Sequence, residues 1–217
     1  MGAGGRRFES ARPDYESDCK PARAAGNEGQ TEIMQAVTLP GLRPVLQDEA
    51  IRLVPLTPDH EPGVAALVQD EDVRAYTRVP TEPSADFAGE WMARYEEGWR
   101  DGSRAGFAIE THDGEFLGLG LFVRIEEEGR QGEIGYVVGP AARGRGVATR
   151  TLRLLTDWGF SGLGLERIEL WIDVTNNGSE RVAERAGYLP EGVLRSYWFK
   201  EDIRRDFGIW SRLLRDP

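Results

Sequence analysis

The segment Val137–Thr149 constrains this chain more than any other. It joins a strand that stops at Gly139-Pro140, a basic loop with two glycines, and a helix that starts at Val147. Strand residues run from Gly132 to Val138, and Pro140 ends them because proline donates nothing to a sheet ladder. Ala148, Leu152, Leu155 and Trp158 then face one way at helical spacing and carry a helix to Phe160. The first amides of a helix lack intrahelical acceptors and carry partial positive charge, so they attract anions. Gly144 and Gly146 let an anion approach the backbone closely, and Arg143 and Arg145 add charge and directed donors. A pyrophosphate is the natural guest. A plain strand-to-helix turn with surface arginines is the alternative that this segment alone leaves open.

Other phosphate loops fit less well. A Walker loop needs a lysine, and none stands here. Gly118-Leu-Gly120 begins a dinucleotide fingerprint, but Val123 occupies the third glycine's place and no helix follows.

The rest of the chain supplies the frame. Ile51–Leu56 alternates as a first strand, and Thr57-Pro58-Asp59 opens a helix to about Val68. Asp70-Glu71-Asp72 reads as a loop or cap. Phe87, Trp91, Met92, Tyr95 and Trp99 recur at helical spacing after Ser84. Gly106–Glu110 and Phe116–Val123 form a hairpin around Asp113-Gly114, and Glu126–Glu128 reads as a solvated strand end. After the loop and its helix come a strand at Arg167–Asp173, a helix at Asn177–Ala186 closed by Gly187, and strands at Val193–Phe199 and Asp206–Leu214. The pattern predicts seven strands and four helices in one domain, residues 46–217. Residues 1–45 carry six basic and six acidic residues and no periodicity up to about Glu32, which predicts a disordered arm.

Composition narrows the function. Cys19 is the only cysteine, and His60 and His112 are the only histidines, which predicts no metal site and disfavours a Ser-His-Asp hydrolase. The net charge of −10 argues against a nucleic-acid partner and suits a cationic acceptor, although charge alone favours a plain solubility role. No run approaches the roughly 18 apolar residues of a membrane span, and Met1–Glu9 lacks a secretory apolar core, so a cytoplasmic protein is expected.

Two motifs, in order and in this strand–helix context, give a specific resemblance. Arg143-x-x-Gly146-x-Ala148 matches the Gln/Arg-x-x-Gly-x-Gly/Ala motif of the GNAT N-acetyltransferases, and Asn176-x-x-Ser179, a short helix and Gly187-Tyr188 match its second half. Ile51-Arg-Leu and Gly192–Tyr197 resemble the RimJ/RimL-like branch, which acetylates protein N-terminal amines. The resemblance covers essentially residues 46–217. It implies an α/β (α+β) GNAT fold, a single mixed, mostly antiparallel sheet whose fourth and fifth strands splay apart where Gly139-Pro140 ends their pairing. It implies acetyl-CoA as acyl donor, no metal, direct transfer in a ternary complex, and commonly a homodimer. The pantetheine arm would bond to backbone at Tyr136, Val137 and Val138. The pyrophosphate would sit on the amides of Arg143, Gly144, Arg145, Gly146, Val147, Ala148 and Thr149, and Asn176 would meet the pantetheine or the thioester region from the other side. Glu133 is the implied base, acting through a water; a solvated strand residue is its other reading. The tyrosine that many members place after the Asn falls here on Ala183, a departure from the pattern. Ser179 is the named substitute as proton donor, with a helix cap as its other reading. Tyr76, Trp91, Tyr95, Tyr197 and Trp198 are possible acceptor-lining residues, Trp91 and Tyr95 more naturally core, and Tyr188 packs inside. The acceptor is then an amine: a peptide N-terminus, or a small molecule such as an aminoglycoside or a polyamine. A silent acyl-CoA-binding regulator is the reading of another class.

Overall fold

The computed structural model describes residues 43–217, so the expected N-terminal arm lies outside the described residues except for its last three. Eight strands form one sheet: β1 (Leu46–Gln47), β2 (Arg52–Pro55), β3 (Ala105–Glu110), β4 (Phe116–Glu126), β5 (Gln131–Val138), β6 (Arg167–Asp173), β7 (Leu189–Lys200) and β8 (Ile203–Leu213). Their spatial order is β1-β2-β3-β4-β5-β6-β8-β7. Every pairing is antiparallel except β5 with β6. Five helices accompany it: α1 (Glu61–Leu67), α2 (Glu71–Tyr76), α3 (Phe87–Asp101), α4 (Val147–Ser161) and α5 (Asn177–Arg185).

The counts exceed the sequence expectation by one strand and one helix. Strand β1 is two residues long, too short for alternation to show. It folds back on β2 because Asp48 Oδ1 accepts the Ala50 and Ile51 amides in the turn, at 2.8 and 3.0 Å. Helix α2 is a short segment of six residues, in which no apolar period can establish itself. Its start is fixed by Asp70, whose side chain accepts the Val73 amide at 3.0 Å. The helix expected from Pro58 begins instead as a 3-10 turn, Pro58–His60, and becomes α-helical at Glu61. Pro62 explains this, because it has no N–H to donate to the Pro58 carbonyl.

Two apolar clusters sandwich the sheet. Val64, Leu67, Val73 and Tyr95 from α1–α3 pack with Leu119, Leu121 and Val137. Leu152, Leu155 and Trp158 of α4 pack with Phe107, Phe122, Ile134 and Ile168. Trp158 anchors the second cluster, stacked on Trp99 and edge-on to Phe107 and Phe122 at centroid distances of 5.3–5.9 Å.

Helix α4 approaches β4 so closely that a Cβ on Gly120 would stand 2.8 Å from Thr151 Cγ2. Thr151 is fully buried there, and its hydroxyl has no hydrogen-bond partner among the described residues. A buried hydroxyl without a partner carries its desolvation cost uncompensated. Thr151→Val, which keeps the shape, is therefore expected to stabilise the fold by about 1 kcal/mol. Denaturant unfolding checks this, and a lower midpoint at unchanged slope would contradict it.

Candidate active site

Strand β5 pairs with β4 from Gln131 to Val138 but with β6 only at Gln131↔Arg167, Gly132↔Ile168 and Glu133↔Glu169. Beyond Glu133 the two parallel strands part and leave a V-shaped cleft. The expected splay is present, but its position is corrected. Pairing with β6 stops at Glu133, well before Gly139-Pro140. The Gly139 amide still donates to the Leu117 carbonyl at 2.9 Å, so Gly139-Pro140 closes the β4 side instead. That bond also fixes the direction of the amides. In an antiparallel pair, successive residues turn their polar groups alternately toward and away from the partner. Gly139 faces β4, so Val137 does too, while Tyr136 and Val138 present N–H and C=O to the cleft. Of the three residues expected to hold pantetheine, Val137 is turned away. Its side chain is buried in the α1–α3 cluster.

The loop at the cleft's mouth has the required backbone. Gly144 and Gly146 adopt φ of 72° and 80°, the left-handed region that favours glycine, and Gly146 caps α4. The first intrahelical bond runs from Arg150 N–H to the Gly146 carbonyl, leaving the amides of Gly146, Val147, Ala148 and Thr149 free of intrahelical acceptors. A Cβ at Gly144 or Gly146 would meet no atom within 4 Å, so both glycines border open space. The residues thus fit a pyrophosphate. Val147 and Thr149 turn their side chains into the protein and can offer amides only. Arg145 is exposed and makes no hydrogen bond or ion pair with the described residues. Arg143, expected to offer its guanidinium, has it committed elsewhere: Nε donates to the Val138 carbonyl at 3.1 Å, Nη1 to Asp72 at 2.7 Å and Nη2 to Asp70 at 2.5 Å.

Helix α5 forms the opposite wall. Asn176 is its N-cap, and its Oδ1 accepts the Ser179 amide at 3.0 Å. The capping role therefore belongs to Asn176, and the Ser179 hydroxyl has no partner among the described residues. Tyr136 spans from β5 to α5, donating its hydroxyl to the Ser179 carbonyl at 3.4 Å, and burial pushes its pKa up to about 12. Ala183 is fully buried, as is Tyr188, whose hydroxyl meets Thr156 at 2.7 Å.

On the other face of the sheet lies a polar and aromatic patch. Strand β6 buries Ile168, Leu170 and Ile172 against α4 and α5, so Glu169, Trp171 and Asp173 point the other way. Arg124 Nε lies 3.8 Å from Glu133 Oε2, at the apex of the V, and Arg124 Nη2 lies 3.4 Å from Glu169. Arg167 joins Glu169 at 2.8 Å. Arg205 donates to Asp173 at 3.0 Å. Burial alone would raise the Asp173 carboxyl, but hydrogen bonds from Thr175 and Arg205 outweigh it and hold it below the usual range. Trp171 donates to Glu169 and meets Tyr197 edge-on at 4.9 Å. Of the aromatic residues named from sequence, Tyr197 joins this patch, Trp198 packs on Phe207, Trp91 on Phe87, Tyr95 is buried, and Tyr76 ends α2. Arg124, Trp171 and Arg205 were missed. The alternation of Glu169, Trp171 and Asp173 was the available signal for the tryptophan. A separate cavity of about 290 Å³ lies between α1 and α3, lined by Glu61, Met92, Tyr95 and Trp99 among others, and contains none of the loop residues.

Among the described residues, no group of His, Cys, Asp and Glu could hold a metal ion, and no helix is long and apolar enough to cross a membrane.

Residues 50–189 match the acetyltransferase (GNAT) domain family, and the chain belongs to that family. Its class is the acetyl-CoA-dependent N-acetyltransferases. The chain is 25% identical over 169 residues to the uncharacterized N-acetyltransferase YoaA of Bacillus subtilis, covering 77% of this chain and 96% of that one. It is 32% identical over 105 residues to the spermidine N(1)-acetyltransferase of Escherichia coli, covering 48% of this chain and 56% of that one. The solved structure of RimL, a ribosomal L7/L12 alpha-N-protein acetyltransferase in complex with coenzyme A, superposes with a TM-score of 0.71 at 18% identity. That match covers 78% of this chain and 98% of the other.

Proposed function

We propose that this enzyme acetylates the α-amine of a protein or peptide N-terminus rather than a polyamine. The observation that carries this reading is the compensation of charge on the acceptor face. Glu133, Glu169 and Asp173 each stand beside an arginine there: Arg124, Arg124 with Arg167, and Arg205. A polycation is recognised by carboxylates free to pair with it, whereas a face already neutralised accepts a single amine without stripping an arginine of its partner. Similarity to the spermidine enzyme covers 48% of this chain and leaves the acceptor open.

In this reading the amides of Gly146, Val147, Ala148 and Thr149, with the Arg145 side chain, bind the pyrophosphate of acetyl-CoA. Backbone groups of Tyr136 and Val138 hold the pantetheine arm from one wall and Asn176 from the other. The amine attacks the thioester carbonyl carbon: a C–N bond forms, the C–S bond breaks, and the thiolate of CoA leaves. An amine is mostly protonated at neutral pH, so one proton passes through a water to the Glu133 carboxylate before attack. The Ser179 hydroxyl, which has no partner among the described residues, supplies the sulfur with a proton in place of the tyrosine missing at Ala183, and the second proton, shed by the nitrogen as the amide forms, restores that hydroxyl.

A thiol-release assay over peptides and small amines tests the acceptor. The expected kcat/KM for the best peptide exceeds that for spermidine by at least about tenfold, a difference one well-placed polar contact can supply. Spermidine as the equal or better acceptor overturns the peptide reading.

A further inference from the structure

We propose that Arg143 is a positioning residue that couples the cofactor loop to the acceptor wall through α2, and is not itself a ligand of the pyrophosphate. The inference rests on the reading that this loop holds acetyl-CoA. Three sides of the Arg143 guanidinium are engaged, by the Val138 carbonyl, Asp72 and Asp70. Drawing it toward a phosphate would leave two carboxylates close together without their shared cation. Asp70 makes the connection directional, since the same Oδ1 that receives Arg143 accepts the Val73 amide and caps α2. Burial alone would raise the Asp70 carboxyl, but the bonds from Arg143 and Val73 hold it below the usual range.

The far end of α2 is held as firmly. Lys200, the last residue of β7, donates to the carbonyls of Arg74, Thr77 and Val79. The adjacent Glu201 accepts from the Thr81 amide and hydroxyl. The strands meeting at this turn carry Tyr197 and Arg205, which contact Trp171 and Asp173 on the acceptor face. Helix α2 is therefore a strut, joined to the phosphate loop through Arg143 and to the β7–β8 turn through Lys200. Fixing the loop fixes the wall that receives the amine, so acetyl-CoA binding prepares the acceptor site.

Hydrogen exchange on the full chain, with and without acetyl-CoA, tests this beside calorimetry of acetyl-CoA binding. In the wild type, acetyl-CoA should slow exchange both in residues 143–149 and in α2. In Arg143→Ala slowing should persist in the loop and be lost in α2, and in Asp72→Asn, an exposed position whose change leaves the Arg143–Asp70 pair, it should persist in the loop and be reduced in α2. The Kd for acetyl-CoA should stay within about threefold of wild type in both variants, whereas loss of a phosphate-binding arginine would weaken it by at least about tenfold. Weakening of that size in Arg143→Ala but not in Asp72→Asn would overturn the inference and return Arg143 to the phosphate. Slowing confined to the loop in the wild type would also overturn it. No slowing in the wild-type loop would instead remove the acetyl-CoA reading of the loop, and this coupling with it.

Discussion

Replacing Gly146 by glutamate is expected to reduce acetyl-CoA binding by about a hundredfold or more, to the edge of detection by calorimetry, while the chain still folds. Gly146 sits at φ 80°, a conformation that costs a side-chain-bearing residue roughly 1–2 kcal/mol. That strain is affordable because a Cβ there meets no atom within 4 Å, and a carboxylate near a helix start is locally favourable. The same local attraction is what destroys function. The glutamate occupies the space before the amides of Val147, Ala148 and Thr149 and sets a fixed negative charge against the incoming phosphates. Gly146→Ala, which brings the strain without the charge, separates the two contributions. Near-normal acetyl-CoA affinity in Gly146→Glu would mean that the pyrophosphate binds elsewhere.

Glu133→Gln is expected to lower kcat/KM by about 10²–10⁴, the usual contribution of a general base, with little change in acetyl-CoA affinity. Glu133 is the last residue of β5 to pair with β6, and so stands where the cleft opens. Its neutralisation leaves Arg124 with Glu126 and Glu169 as partners, so the surrounding network survives. The sign of the pH effect follows from the role. A base works when deprotonated, so wild-type activity rises with pH through its ionisation. The glutamine variant should lose that limb and retain only the dependence set by the acceptor amine. Unchanged turnover together with an unchanged pH profile would remove Glu133 from the mechanism.

The parts of the site that were legible in the sequence are those whose causes are local. The end of β5, the left-handed glycines and the start of α4 follow one another within Val137–Thr149, and each is dictated by its own residues or its neighbours'. The Asn176 cap on the Ser179 amide is also local, a spacing of three residues, although the sequence offers Ser179 as the cap. What a local reading does not reveal depends on distant partners. Arg143 pairs with Asp70 and Asp72, which stand 73 and 71 positions away in the chain. The end of β5–β6 pairing is set by where β6 diverges, not by Pro140. Arg205 reaches Asp173 only because β8 lies against β6, and Arg124 reaches Glu133 and Glu169 only across neighbouring strands. Short elements escaped for a different reason: β1 and α2 are shorter than the period that would announce them.

The most direct test of the account is mass spectrometry of a peptide acceptor incubated with the enzyme and isotope-labelled acetyl-CoA, with free thiol measured in parallel. Direct transfer predicts one labelled acetyl group on the peptide's α-amine for each CoA thiol released. Binding of acetyl-CoA with no labelled peptide or small amine formed would contradict it, and would leave the chain as an acyl-CoA-binding regulator.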